Sequence, residues 1–243
     1  MESYIFLLFI LFVILIYFNK NNFEKFNSIV ENEMDNFKLS HFDTPEIPDV
    51  IELQNLSKCS VPIEYFYGYN QHYIWNDGKK VNIDILRQVS RNYLIYNNEN
   101  RFHLRAIRFE KSNILDNGKS YLLQLNLVHS GTKSLCDFGI IVPLEFSLNP
   151  EIDILKKSQV PQFKCCGKKY GKIVKQELKQ LSDILNETTF KKYNISETNH
   201  LLISKPVKIS VDLGLDILNK LKSLGESEIE SKSSWLENDF MEI

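Results

Sequence analysis

A two-residue alternation of apolar and polar positions is the clearest pattern along the chain, and it is typical of β-strands that bury one face. The alternation predicts three consecutive strands, over residues 101–114, 120–129 and 136–146. Asn117-Gly118 predicts a tight turn between the first two. Pro143 indicates that the third strand lies at a sheet edge or ends there. The middle of the chain therefore predicts an antiparallel sheet.

The segments on either side of these strands have other patterns. Aromatic and β-branched residues predict a strand over 61–75, and the spacing of apolar residues predicts a helix over 81–95. Asn76-Asp77-Gly78 predicts a turn between them. Further along, the patterns predict a helix over 171–186, a polar loop over 187–199, a strand over 207–211 and a helix over 213–224 that Gly225 closes.

An uninterrupted apolar run covers residues 3–19 and predicts a transmembrane helix in contact with the lipid bilayer. The alternative is a cleaved signal peptide, which the acidic Glu2 and the absence of a cleavage site after Asn19 disfavour. The expected localisation is that of a single-pass membrane protein. Lys20 and Lys25 weakly favour a cytoplasmic body, so the side of the membrane stays open.

Together these patterns predict an α+β fold: an N-terminal transmembrane helix, then an antiparallel sheet packed on a helix, with extra C-terminal helices. The predicted organisation has five parts. They are a transmembrane anchor (1–20), an amphipathic stalk and linker (21–58), the helix-on-sheet core (59–150), a C-terminal helical and strand part (151–225) and an acidic disordered tail (226–243).

The composition changes this picture little. The net charge is −2, which gives no reason to expect nucleic-acid binding. The chain has 24 Lys against 5 Arg, 23 Asn and the single alanine Ala106, a bias that indicates an AT-rich genome, as in some DNA viruses. Three glycosylation sequons, at Asn55, Asn186 and Asn194, are about as many as chance gives in so Asn-rich a chain.

Four cysteines allow two disulfides, with Cys59 and Cys136 each joined to one of the adjacent pair Cys165 and Cys166. The alternative is four reduced thiols in a cytosolic body. Oxidation is expected if the body faces an oxidising compartment, where two bridges would tie the C-terminal part to the sheet.

Other candidate chemistry is sparse. A basic patch surrounds the adjacent cysteines and comprises Lys164, Lys168, Lys169, Lys172 and Lys175. It suggests contact with anionic lipid, an electropositive setting that activates a thiol, or a solvated turn whose cysteines form structural disulfides. His103 and His129 fall on neighbouring predicted strands, but no two histidines have metal-ligand spacing, and no phosphate loop or nucleophile motif occurs. No catalytic residue, metal or cofactor is therefore expected.

The order of predicted elements, a strand and a helix followed by three long strands, resembles the cystatin-like plan of a sheet wrapped on one helix. The turn Ile114-Leu115-Asp116-Asn117-Gly118 does not match the inhibitory Gln-x-Val-x-Gly hairpin, so the resemblance implies a fold and not protease inhibition. The expected function is a membrane-anchored, non-catalytic binding or structural module whose partner the sequence does not identify, a protein being one candidate. The alternative is a membrane-tethered enzyme of unrecognised type.

Overall fold

The computed structural model describes residues 47–86, 91–131, 137–163, 171–196 and 198–221, all in one compact unit of Thr44–Ile243. In chain order the strands and helices are β1 Ile51–Glu52, β2 Ser57–Cys59, β3 Ile63–Phe66, β4 Tyr69–Asn76, β5 Lys80–Leu86, β6 Tyr93–Tyr96, β7 Asn100–Lys111, β8 Ile114–Asp116, β9 Lys119–Ser120, β10 Leu123–Gly131, β11 Asp137–Ser147, β12 Lys172–Glu177, α1 Lys179–Leu185, β13 Lys192–Asn194, β14 His200–Ile203, β15 Val207–Ser210 and α2 Val211–Lys220. Short 3₁₀ turns cover Leu53–Asn55 and Lys157–Gln159.

One large twelve-stranded sheet organises the described residues. Its main path runs β12-β4-β5-β7-β10-β11-β14-β13-β2. The central pairs are antiparallel, whereas β14 and β15 both lie parallel to β11. The strands β3 and β6 extend the sheet beside β7, and β1, β8 and β9 form a separate small sheet.

The three strands that the alternating pattern predicts are present in the structure. The predicted strands over 101–114, 120–129 and 136–146 are confirmed as β7, β10 and β11. Asn117 and Gly118 both have positive φ angles, 47° and 82°, in the two-residue loop between β8 and β9. Two positive φ angles define a type I′ turn, which Asn-Gly adopts readily.

One face of the sheet, here called the core face, is almost wholly apolar. Its central side chains come from neighbouring strands and are fully buried: Ile74, Ile83, Ile107, Leu127 and Ile140. The helices α1 and α2 and the loop over 151–163 cover this face. Ser210 caps α2, because its Oγ accepts a hydrogen bond from the amide of Leu213 at 3.2 Å.

The predicted α+β class is wrong: the described residues are mostly β-strand, with only two α-helices. The helix predicted over 81–95 is replaced by β5 and β6. Val81, Ile83 and Ile85 alternate with Asn82 and Asp84, so a two-residue period was present as well, and β-branched residues favour it.

Three further predictions need correction. The first half of the helix predicted over 171–186 is the edge strand β12, and only its second half is helical. The polar segment 187–199 contains β13. Pro143 was expected at a sheet edge or strand end, but it lies inside the central strand β11. On one side of β11 the parallel neighbour changes there from β14 to β15, so the missing amide hydrogen of proline breaks no hydrogen bond with either of them.

The membrane predictions are corrected too. Among the residues that the structure describes, no helix has both the length and the apolar character needed to cross a bilayer. The apolar run at 3–19 and the stalk lie outside these residues. The prediction of a single-pass protein with a transmembrane helix is therefore not carried forward.

Candidate functional site

The second face of the large sheet, here called the polar face, carries buried polar side chains where the core face carries aliphatic ones. The strand register sets Asn82, Arg108 and Asn126 side by side on β5, β7 and β10. A second row on the same face lies two residues further along each strand. It crosses five strands and consists of Asp84, Ala106, Val128, Gly139 and His200. Polar residues on alternate positions of otherwise apolar strands produce this face directly.

Arg108 is the central cation of the polar face. Its side chain is half-buried, and it forms no hydrogen bond or ion pair with the residues that the structure describes. Its cross-strand neighbours Asn82 and Asn126 are amides, 3% and 2% exposed. A partly desolvated guanidinium that forms no ion pair attracts an anion.

Two buried acceptors lie near Arg108 on the same face. Oδ1 of Asn126 and Oε1 of Glu110 are both buried without a hydrogen-bond partner. The other oxygen of Glu110, Oε2, lies 3.5 Å from Nζ of Lys80, so the charge of this carboxylate is balanced. The site therefore combines one donor group with two acceptors that need donors.

His200 closes one end of the second row. Its ring lies against Gly139 on the neighbouring strand, and its Nδ1 is buried without a partner. Burial, together with the positive charges of Arg108 and Lys80, lowers the pKa of His200 to about 4. The imidazole is consequently neutral at pH 7 and presents a ring nitrogen rather than a charge.

A small apolar layer covers the far side of the polar face. Ile51, Ile114 and Tyr121, from the small sheet and the segment that follows it, pack on Ile141 and Leu202 of the large sheet. The amide of Asn113 donates to Oε1 of Gln124 at 3.4 Å and ties this layer to β10. Arg108 is not part of this layer, and its side chain is partly exposed.

Two other histidines lie on the core face. Nδ1 of His129 lies 3.3 Å from the carbonyl oxygen of Phe138, and Nε2 lies 2.8 Å from the hydroxyl of Tyr67. The carbonyl can only accept, so Nδ1 carries the proton and the Tyr67 hydroxyl donates to Nε2. The side chain of His72 is fully buried, and its ring nitrogens make no hydrogen bond of normal geometry with the described residues, although the backbone of Gln176 lies close enough to raise its pKa. Both rings are structural parts of the core.

Comparison with known proteins gives a consistent result for this architecture. No protein-family model matches the chain, and no curated protein matches its sequence. Among solved structures, an α-carbonic anhydrase from Photobacterium profundum aligns with a TM-score of 0.53 at 15% identity, over 81% of this chain and 94% of that one. The chain adopts the α-carbonic anhydrase fold. Carbonic anhydrase Cah3 from Chlamydomonas reinhardtii, in complex with acetazolamide, also aligns, with a TM-score of 0.53 at 14% identity over 74% and 83% of the two chains.

The carbonic anhydrase fold raises the question of zinc, which carbonic anhydrases bind through three histidines. No group of three His, Cys, Asp or Glu side chains in the described ranges could hold a metal ion. His72 and His129 point to the core face, and His103 and His200 lie on the polar face three strands apart, a separation of roughly 14 Å. The described residues do not fit the three-histidine zinc site.

These comparisons correct two predictions. The cystatin-like resemblance is wrong, because the neighbours are α-carbonic anhydrases and the helix that a cystatin-like sheet would wrap is a strand here. The predicted membrane-anchored, non-catalytic module is contradicted as well, since the structural neighbours are enzymes and the described helices include no membrane span.

The residues singled out in the sequence do not meet on the polar face. Cys59 is half-buried in the edge strand β2, while Cys136, Cys165 and Cys166 lie outside the described residues, so the disulfides stay a prediction. Lys172 and Lys175 lie on the opposite edge strand β12, and Lys164, Lys168 and Lys169 lie outside the described ranges. The basic patch likewise stays a prediction.

Sequence reasoning missed Arg108, Asn126 and His200. His103 and His129 are on neighbouring strands, as predicted, but they are on opposite faces, because His129 pairs with Leu104 while His103 pairs with Ser130. One signal was available: three of the five arginines of this lysine-rich chain lie in β7, at Arg101, Arg105 and Arg108.

Proposed function

We propose that the chain binds a small oxyanion on the polar face, with Arg108 as the residue that holds the anionic group. The observation that carries the proposal is the half-buried guanidinium of Arg108, which forms no hydrogen bond or ion pair with the residues that the structure describes. A guanidinium presents a rigid fork of donors that matches the two oxygens of a carboxylate.

The surroundings of Arg108 support this assignment over a metal site. Asn82 and Asn126 flank it on either side, and the neutral His200 lies in the adjacent row. These amide and imidazole groups are uncharged at pH 7 and do not repel an anion, and the charge of the nearby Glu110 carboxylate is balanced by Lys80. A fixed positive charge in the centre, by contrast, disfavours a divalent cation.

Titration of the full chain with a simple carboxylate tests the proposal. Propionate should shift the amide signals of β7 and β10 in nitrogen–proton correlation spectra, and Arg108→Gln should abolish the shifts. Binding should weaken with ionic strength, as expected for a charge-assisted contact.

Arg101→Gln is the matched control, because Arg101 is on the same strand but is exposed and lies 4.2 Å from the centre of the Tyr93 ring. This variant should bind propionate like the parent chain. Equal losses in R101Q and R108Q would indicate a diffuse charge effect. No shift in the parent chain at high propionate concentration would overturn the proposal.

A further inference from the structure

We infer that a cleft on the other side of the large sheet from Arg108 binds a phosphate monoester as its dianion. The cleft has a volume of about 380 Å³, and its walls are the loop over 157–162, the start of β12 and the end of α2. Lys172 belongs to the core side of the sheet, since it is directly opposite the buried Ile74. The site is therefore separate from the polar face and does not depend on the proposed function.

Every charged residue that lines this cleft is a lysine, namely Lys157, Lys172 or Lys220. The charge of Lys220 is balanced, because its Nζ lies 3.1 Å from a carboxylate oxygen of Asp216. Lys157 and Lys172 form no ion pair with the residues that the structure describes. The cleft thus carries two uncompensated positive charges.

Two of the ammonium groups are held in place by the backbone of the loop. Nζ of Lys172 donates a hydrogen bond to the carbonyl oxygen of Ser158 at 3.2 Å, and Nζ of Lys220 donates to that of Val160 at 2.9 Å. An ammonium group has three N–H donors, so Lys172 keeps two of them for a ligand. Because its side chain is already positioned, less conformational entropy is lost when a ligand binds.

These features favour a phosphate monoester over a carboxylate. Two uncompensated charges match a dianion, and phosphate monoesters carry close to two negative charges at pH 7. Ammonium groups bind phosphate oxygens as point charges, whereas a carboxylate is matched best by the planar fork of an arginine. The exposed side chains of Ser158 and Gln162 line the same cleft and supply further donors. The cleft also has the volume of a small-molecule site, about 300–1,000 Å³.

Methyl phosphate and methyl sulfate test the charge of the ligand. They have nearly the same shape, but the phosphate ester carries about two negative charges at pH 7 and the sulfate ester one. Chemical-shift titration of the full chain measures both dissociation constants. One additional charged hydrogen bond corresponds to about tenfold in the dissociation constant, so methyl phosphate should bind about tenfold more tightly than methyl sulfate. The shifted amide signals should be those of residues 157–162 and 172.

Lys172→Gln should weaken the binding of methyl phosphate about tenfold, because it removes one of the two uncompensated charges. Lys175→Gln is the matched control, since Lys175 is an exposed lysine of the same strand that does not line this cleft. K175Q should bind methyl phosphate like the parent chain. Equal weakening in K172Q and K175Q would indicate a diffuse basic surface and would overturn the cleft as the binding site.

Arg108→Gln separates this site from the polar face. R108Q should bind methyl phosphate like the parent chain, and a loss of binding in this variant would contradict the cleft. Equal binding of the two esters to the parent chain would overturn the dianion, and no binding of methyl phosphate would overturn the whole inference. Because both esters are measured first in the parent chain, the inference is tested even if a variant does not fold.

Discussion

The imidazole of His200 lies against the backbone of Gly139, so closely that a Cβ atom at residue 139 would be 2.1 Å from Cδ2 of the ring. The two residues are directly opposite each other on the parallel strands β14 and β11. Glycine is therefore the residue that lets the ring fold over the sheet and border the polar face. Glycine is needed at residue 139 because the ring of His200 lies so close to the backbone, and not because of a positive φ angle.

Gly139→Ala should destabilise the protein by about 1–3 kcal/mol, because the ring of His200 must leave its position or the strands must separate. Urea unfolding followed by circular dichroism measures this loss. Gly68→Ala is the control, since a Cβ there has nothing within 4 Å. Similar losses for both variants would mean that His200 does not pack on Gly139.

Tyr67→Phe should destabilise the protein by about 1–3 kcal/mol, because it removes the hydroxyl that donates to Nε2 of His129 and leaves a buried ring nitrogen unsatisfied. The midpoint of urea unfolding is the measurement. Tyr69→Phe, at a side chain that is 56% exposed, should change the midpoint little. Equal stability of Y67F and the parent chain would show that the buried hydrogen bond does not stabilise the folded protein.

Acid should destabilise the protein below about pH 6.5. Burial is the main cause that lowers the pKa of His72 to about 4, of His129 to about 3 and of His200 to about 4. The unfolded chain, with ordinary histidine pKa values near 6.5, therefore binds more protons than the folded chain between these values. Stability is lost as the pH falls through this window, by up to about 1.4 kcal/mol per pH unit for each histidine.

His72→Leu isolates one of these histidines. Neither ring nitrogen of His72 makes a hydrogen bond of normal geometry with the described residues, although the backbone of Gln176 lies close enough to raise its pKa, so the variant should be about as stable as the parent chain at pH 7. The slope of unfolding free energy between pH 6.5 and 4.5 should be smaller in H72L. An unchanged slope would show that His72 does not titrate on unfolding.

Phe109→Ala should cost about 3–5 kcal/mol, because the ring is fully buried on the core face between β5 and β10. Leu148→Ala is the control at a residue that is 91% exposed, and it should change the unfolding free energy by less than about 0.5 kcal/mol. A loss below 1 kcal/mol for F109A would mean that the helices do not cover this face as described.

The central strands could be predicted from the sequence because their pattern is local. In β7, β10 and β11 every second side chain is apolar. When this two-residue period continues for about ten residues, it indicates a β-strand with one buried face. The Asn117-Gly118 turn was predictable for the same reason, since its two positive φ angles depend on the residues themselves.

Short segments were misassigned because the spacing of apolar residues over a few positions fits both the 3.6-residue period of a helix and the two-residue period of a strand. Val81 to Leu86 was predicted as helix and is a strand, since β4 and β7 on both sides offer it hydrogen-bond partners that no local pattern records. The same holds for β12, whose only partner is β4, about a hundred residues earlier.

The sequence by itself determined which residues are apolar, where the tight turns lie and that a long alternating sheet forms. Only the tertiary structure decided that Arg108, Asn126 and Glu110 share one face, and that His200 reaches it from a strand more than 70 residues away. The reason is physical: alternation assigns a side chain to one of two faces, but strand order and register decide which side chains become neighbours. A site made of polar residues from β7, β10 and β14 therefore has no signature within any one segment.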